Sequence, residues 1–185
     1  MRVIGGKWKS RKINGLFKPS HNKIIRPTSD RVKENIFNIL ESLDIGNSIV
    51  GAKVLDIFCG TGAMGIEAIS RGANFCYFID KSLISRQITL ENINNFSCKN
   101  ETQFLLKNVL EIEACNHEKA DIIFLDPPYK NNIAESSILK LSKFGWIDKN
   151  TLIILEKGKD ECFRSSFQLI DRRIYGNTEI LFLKF

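Results

Sequence analysis

The sequence predicts an α/β protein built on a doubly wound, mostly parallel sheet of seven strands that ends in an antiparallel hairpin. Three observations predict it. From residue 52 onward, short apolar runs alternate with helical stretches, the pattern of a parallel sheet covered on both faces. A glycine-rich segment follows the first of these runs, at a strand-to-helix junction. The last two apolar runs are separated only by Gly176-Asn177, a turn signal that suits a hairpin.

Each element has its own justification. Residues 2–13 read as short β segments around the Gly5-Gly6 turn signal. A stretch rich in Pro, Ser, Asn and Lys follows at 18–29 and reads as a loop. Thr28-Ser29-Asp30 offers helix N-cap chemistry, and Val32, Ile36, Ile39, Leu40 and Leu43 recur at helical spacing, so 30–43 is expected to be an amphipathic helix with Arg31 and Lys33 on its polar face. Strands are expected at 54–58, 75–79, 102–106, 121–126 and 152–155, with helices at about 62–71, 82–95 and 133–143 between them. The tail supplies strands at roughly 167–175 and 179–184. The chain thus divides into a small N-terminal extension, 1–45, and an α/β domain, 46–185.

Charge sharpens that division. The chain of 185 residues has 27 Lys and Arg against 21 Asp and Glu. Ten of the cations (Arg2, Lys7, Lys9, Arg11, Lys12, Lys18, Lys23, Arg26, Arg31 and Lys33) but only one acid, Asp30, fall within residues 1–33. That segment carries +9 and the remainder −3, although the whole chain carries only +6. No window approaches the ~20 apolar residues of a membrane-spanning helix, and the first residues contain no secretory apolar run. Five widely spaced cysteines without a C-x-x-C pair fit free thiols in a reducing cytoplasm better than a disulfide framework. With His21 and His117 the only histidines, neither near a Cys at zinc-ligand spacing, no metal site and no histidine-based nucleophile system is expected.

Two motifs carry chemistry. Asp56-Ile57-Phe58-Cys59-Gly60-Thr61-Gly62-Ala63-Met64-Gly65 spans the first strand-to-helix junction, where α/β sheets bind ligands. Gly60 to Gly65 matches G-x-G-x-x-G, and Asp80 lies 20 residues past Gly60, where a ribose-binding acid belongs. Taken alone this permits a nicotinamide dinucleotide. Asp56, however, sits at the end of the strand, where a carboxylate would repel a pyrophosphate and favour the ammonium or sulfonium of S-adenosylmethionine. Asp126-Pro127-Pro128-Tyr129 closes the fourth strand, 70 residues after Asp56. Its prolines stiffen the chain and presuppose a loop at the sheet's carboxyl edge. A carboxylate, a rigid carbonyl and an aromatic ring together suit a planar base bearing an exocyclic amine. Tyr129 would stack on the base while Asp126 and the Pro127 carbonyl accept from the amine.

On these residues the chain resembles the class I, Rossmann-like S-adenosylmethionine-dependent methyltransferases that modify amino groups. More closely, it resembles the bacterial 16S rRNA guanine-N2 methyltransferases of the RsmD type. Further matches are Arg2-Val3-Ile4-Gly5-Gly6, Arg26-Pro27-Thr28, the run Arg31 to Asn38, and Tyr175-Gly176-Asn177-Thr178. The resemblance implies that Asp56, Phe58, Gly60 and Gly62 line the methionine end of the cofactor and that Asp80 bonds the ribose. It implies that Asp126, Pro127, Pro128 and Tyr129 hold the target guanine. Asn108 falls where that family usually has an acid bonding the adenine amine, and an amide oxygen can accept the same bond.

The basic segment suits the phosphate backbone of RNA. The expected contacts are Arg2, Lys7, Lys9, Arg11, Arg26, Thr28, Arg31 and Lys33, and the expected partner is 16S rRNA, within the small subunit or its precursor. A guanine N2 lies in the minor groove of a stem, so the target is expected unpaired or flipped out. Two other readings share these motifs: an adenine-N6 methyltransferase acting on DNA or RNA, and a non-catalytic RNA-binding assembly factor.

Overall fold

The first apolar run, Lys53–Ile57, forms β1, the inner strand of a seven-stranded sheet. In the computed structural model, residues 1–15, 30–42, 48–128, 133–161, 163 and 167–184 are described. Chain order gives α1 (Asp30–Ser42), β1, α2 (Ala63–Ser70), β2 (Phe75–Asp80), α3 (Leu83–Asn95) and β3 (Thr102–Leu106), then β4 (Ile122–Leu125), α4 (Ile133–Lys143), β5 (Leu152–Gly158), β6 (Gln168–Tyr175) and β7 (Thr178–Lys184). The strand order is β3-β2-β1-β4-β5-β7-β6, parallel from β3 to β5 and antiparallel at β7 and β6. The winding direction reverses between β1 and β4, and such a switch point opens a crevice at the carboxyl ends of the strands.

Side chains alternate across the sheet, so each strand serves two cores. Val54, Phe78, Phe124 and Ile154 face one layer, formed by the N-terminal arm, α1, α2 and α3. Leu55, Ile79, Leu125 and Ile153 face the other, which α4, Val109 and Trp146 cover. Val3 and Ile13 from the arm and Ile36, Phe37 and Leu40 from α1 belong to the first core. Among the described residues, no helix is long and apolar enough to cross a membrane.

Three elements differ from the sequence expectation, each for a physical reason. The arm's β pairing is a single antiparallel bridge, Arg2 with Lys12, closed by a short 3-10 turn at Gly6–Trp8. The turn lies hard against α2: a Cβ on Gly6, whose φ is +71°, would come within 1.8 Å of the Ser70 carbonyl oxygen. The buried face of α1 is Lys33, Ile36, Phe37 and Leu40, so the helix is rotated to put a lysine where the periodicity predicts an apolar residue. Leu43, the last residue of that periodicity, lies outside the described residues. β5 runs on to Gly158 because Lys157, a residue an apolar pattern rejects, pairs at 2.5 Å with Glu179 directly opposite on β7. Arg172 on β6 pairs with the same carboxylate from the other side.

Candidate active site

The strand register puts the chemistry-bearing residues in one row. Ile57 lies beside Ile79 on one side and Leu125 on the other, Asp80 lies beside Leu106, and Leu125 lies beside Leu155. One residue further along each strand, Asp80, Phe58 and Asp126 therefore sit side by side across the switch point. The glycine loop starts from the middle of that row and Asp126-Pro127-Pro128 from the next strand. Asp126 is half-buried, Pro127 buried and Pro128 exposed. Tyr129 and the neighbouring Lys130 lie outside the described residues, as do Arg26, Thr28 and the rest of the 16–29 segment.

The loop is held from several sides. Phe58 adopts φ +60° and its amide donates to the Ile79 carbonyl at 2.9 Å, turning the chain sharply off β1. Gly60 N donates to Asp80 Oδ2 at 3.1 Å, and Asp80 Oδ1 accepts from Ser82 N at 2.9 Å. Asp80 thus joins the loop to the start of α3 from a half-buried position at the crevice. Gly62 has φ +75°, and a Cβ there would meet Thr89 Cγ2 at 2.8 Å, so the turn is both left-handed and packed. Gly65 closes the motif by packing: a Cβ on it would come within 2.4 Å of Phe78 and 2.5 Å of the Cys76 sulfur.

Asp56 lies beneath the loop, only 3% exposed. Gly62, the N-cap of α2, offers no side-chain acceptor, and Asp56 Oδ2 accepts from the Gly65 amide in the first turn at 2.9 Å instead. A carboxylate is favourable at a helix N-terminus. Burial nevertheless pushes the Asp56 carboxyl up to about 8; the Gly65 amide pulls against it and the negative charge of Asp80 adds to it. Burial likewise raises the Cys59 and Cys76 thiols well above their ordinary value, with the Asp56 charge as the next cause, so both are inert apolar fillers.

Asn108 follows β3 and caps the short turn Val109–Glu111. Its Oδ1 accepts from Leu110 N at 3.2 Å and its Nδ2 donates to Glu111 at 3.3 Å. With Lys81, Leu106 and Lys107 it lines an open cavity at the β2–β3 end of the row.

The basic residues spread over a larger distance than the sequence suggests. Lys7 pairs with Glu101 at 3.2 Å, just before β3, and lies over the Trp8 ring. Trp8 N donates to Ser70 Oγ at the far end of α2. Lys7 and the exposed Lys9 therefore sit towards the amino edge of the sheet. Arg11 stacks on Phe96 at 4.6 Å and donates to the Asn95 carbonyl at the end of α3. Only around Asn14 does the described part of the arm reach the glycine loop. Arg2 is exposed and bonds Asp30, and Arg31 is exposed.

Lys33 has to be removed from the expected RNA contacts. Its side chain is 0% exposed, and its Nζ donates to the Arg2 carbonyl at 2.6 Å and pairs with Glu67 at 3.4 Å. Glu67, also 0% exposed, accepts from Ile4 N, Gly5 N and Arg71 Nε, so a buried carboxylate clamps the arm to α2. Sequence reading missed Glu67, and it missed Thr89 and Asn92, whose side chains bond the Gly60 and Thr61 carbonyls at 3.1 and 3.0 Å. A signal was present in the helix at 82–95: Ser85, Thr89 and Asn92 form a polar stripe at i, i+4 and i+7, and all three are buried.

A doubly wound sheet with an antiparallel final hairpin, and with a glycine loop and acidic strand ends at its switch point, defines a Rossmann-like methyltransferase fold. The structure described as "Putative methyltransferase yhhF from Escherichia coli" superposes with a TM-score of 0.82 at 28% identity, over 100% of this chain and 97% of that one. The chain belongs to the family described as Conserved hypothetical protein 95, which matches residues 1–184. The Ribosomal RNA small subunit methyltransferase D of Haemophilus influenzae is 33% identical over 164 residues, 87% of this chain and 80% of that protein. The protein of the same name in Escherichia coli K12 is 33% identical over 156 residues, 84% of this chain and 74% of that one.

Proposed function

We propose that this protein transfers a methyl group from S-adenosylmethionine to the exocyclic N2 amine of a guanine in 16S ribosomal RNA, in the cytoplasm. The observation that carries the reading is the register of β1 and β4, which sets Asp126-Pro127-Pro128 beside the glycine loop across the switch point. The names of the curated relatives support ribosomal RNA of the small subunit as the substrate.

The donor set fits a cationic adenosine cofactor. Asp80 and Asp126 flank the loop at the crevice, a poor environment for a pyrophosphate and a good one for a sulfonium and an ammonium, while the buried Asp56 holds the first turn of α2 beneath it. The bare backbone of Gly60 lets a ligand approach closely beside Phe58, while Gly62 lets the loop pack on Thr89. Asp80 takes the ribose hydroxyls in exchange for its bond to Gly60, and Asn108 meets the adenine edge from the cavity beyond β3. When bound, S-adenosylmethionine supplies an electrophilic methyl group. Asp126 and the Pro127 carbonyl accept from the two amine hydrogens, Pro128 stiffens the turn and Tyr129 stacks on the base. The guanine nitrogen is thereby oriented towards the methyl group that a bound cofactor would supply, and Asp126 passes the amine proton to solvent. Positioning supplies most of the acceleration.

Residues 1–45 act as an RNA-binding extension and 46–185 as the methyltransferase domain. Arg2, Lys7, Lys9, Arg11, Arg26, Thr28 and Arg31 hold phosphates of the RNA, with Lys7 and Lys9 at the amino edge of the sheet and so at a distance from a guanine that is unpaired or flipped out at the crevice. The test is transfer of tritiated methyl to small ribosomal subunits from cells lacking this protein. Asp126→Ala is expected to abolish transfer while keeping affinity for S-adenosylhomocysteine. Full activity in that variant would overturn the role given to the motif.

A further inference from the structure

We propose that Asn92 is a positioning residue that couples the two substrates: RNA held by the N-terminal arm and cofactor held by the glycine loop strengthen each other's binding through its carboxamide. The proposal rests on the methyltransferase reading above and concerns a residue to which that mechanism gives no task.

Asn92 is 0% exposed, on the buried face of α3. Its Oδ1 accepts from Asn14 N at 2.8 Å, and its Nδ2 donates both to Asn14 O at 3.0 Å and to Thr61 O at 3.0 Å. A carboxamide has two amine hydrogens and one oxygen, and here all of them are engaged. The paired bonds to Asn14 imitate a strand partner, so the arm's backbone is fixed in register at that point. The third bond reaches the loop at the residue between Gly60 and Gly62.

The other anchors of the arm lie elsewhere. Glu67 holds Ile4 and Gly5, Ser70 holds Gly5 and Trp8, and Arg11 holds the carbonyl of Asn95. These contacts gather along α2 and at the end of α3, away from the crevice. Thr89, three residues before Asn92, bonds the Gly60 carbonyl but not the arm. Among the described residues, Asn92 is the side chain that hydrogen-bonds both the arm and the loop. RNA held on the arm keeps Asn14 on the carboxamide, and cofactor held on the loop keeps Thr61 on it, so each ligand stabilises the one hydrogen-bonded arrangement that the other also needs. Coupling of this kind is reciprocal by thermodynamic necessity.

The test is equilibrium dialysis of radiolabelled S-adenosylhomocysteine against the full-length protein, alone and saturated with unmethylated 16S rRNA. In the wild type, RNA is expected to tighten binding by about fivefold or more, the lower end of ordinary coupling. Asn92→Ala is expected to bind both ligands while this ratio falls to one, a change that a loss of general stability does not produce. If Asn92→Ala does not fold, Asn14→Pro carries the test from the other side, because it removes the arm's donor and leaves α3 intact. A wild-type ratio of one, or a wild-type ratio retained in the folded variant, overturns the coupling. Absence of any binding by the wild type overturns the methyltransferase reading itself, and the coupling with it.

Discussion

Substituting the two partners of the buried Lys33–Glu67 pair is expected to have unequal consequences. Lys33→Met removes an ammonium whose pKa burial already pushes below its ordinary value, against the pull of Glu67. The carboxylate it leaves behind still accepts from Ile4 N, Gly5 N and Arg71 Nε, so the remaining charge stays compensated. Replacing the stem with a methionine of similar length keeps the packing. The net cost is expected to be about 1 kcal/mol, the ordinary worth of one hydrogen bond, here that to the Arg2 carbonyl. Glu67→Gln instead leaves Lys33 without a counterion in a position with no exposure and turns an amide towards Arg71. Breaking a buried pair in this way costs roughly 3–5 kcal/mol, or roughly 6–20 °C in Tm for a chain of this size. Urea unfolding of both variants measures the difference. Equal costs would refute the clamp. The RNA affinity of Lys33→Met supplies a second check, since a phosphate-binding lysine would lower affinity and reduce the salt slope by about one on removal. A buried one leaves the slope unchanged.

Other outcomes follow from the loop. Gly65→Ala is expected to destabilise by about 1–3 kcal/mol through overpacking against Phe78 and Cys76. Phe78→Leu in the same chain should recover part of that loss, and two additive losses in urea unfolding would contradict the contact. Asp56 gives a pH dependence: a carboxyl raised in the folded state from 3.8 to about 8 contributes stability that is present below pH 4 and is lost as pH rises through about 8. The Tm of the wild type is therefore expected to fall relative to that of Asp56→Asn between pH 5 and pH 9, and a constant difference would refute the raised pKa.

Most of the sheet was legible in the sequence, because buried parallel strands are written as uninterrupted apolar runs such as Ile122–Leu125. The glycine loop and the acids at the ends of β2 and β4 were legible because special backbone and special chemistry leave short motifs. What escaped depends on contacts distant in the chain. The rotation of α1 follows from Glu67, 34 positions beyond Lys33, and a lysine gives no local sign that its partner is buried. The extension of β5 follows from Glu179 in the same way. Asp56 was readable as a functional carboxylate but not as the missing cap of α2, since that depends on where β1 ends relative to the helix. Thr89 and Asn92 belong to no chemical motif, and it is the packing of α3 on the loop that turns their stripe inward.

The most direct measurement is the identity and location of the transferred group. Small subunits isolated from cells lacking this protein, treated with the purified enzyme and S-adenosylmethionine and digested to nucleosides, are predicted to yield N2-methylguanosine from 16S rRNA by mass spectrometry. N6-methyladenosine in its place, or no new methyl group from a protein that binds the cofactor, would contradict the account.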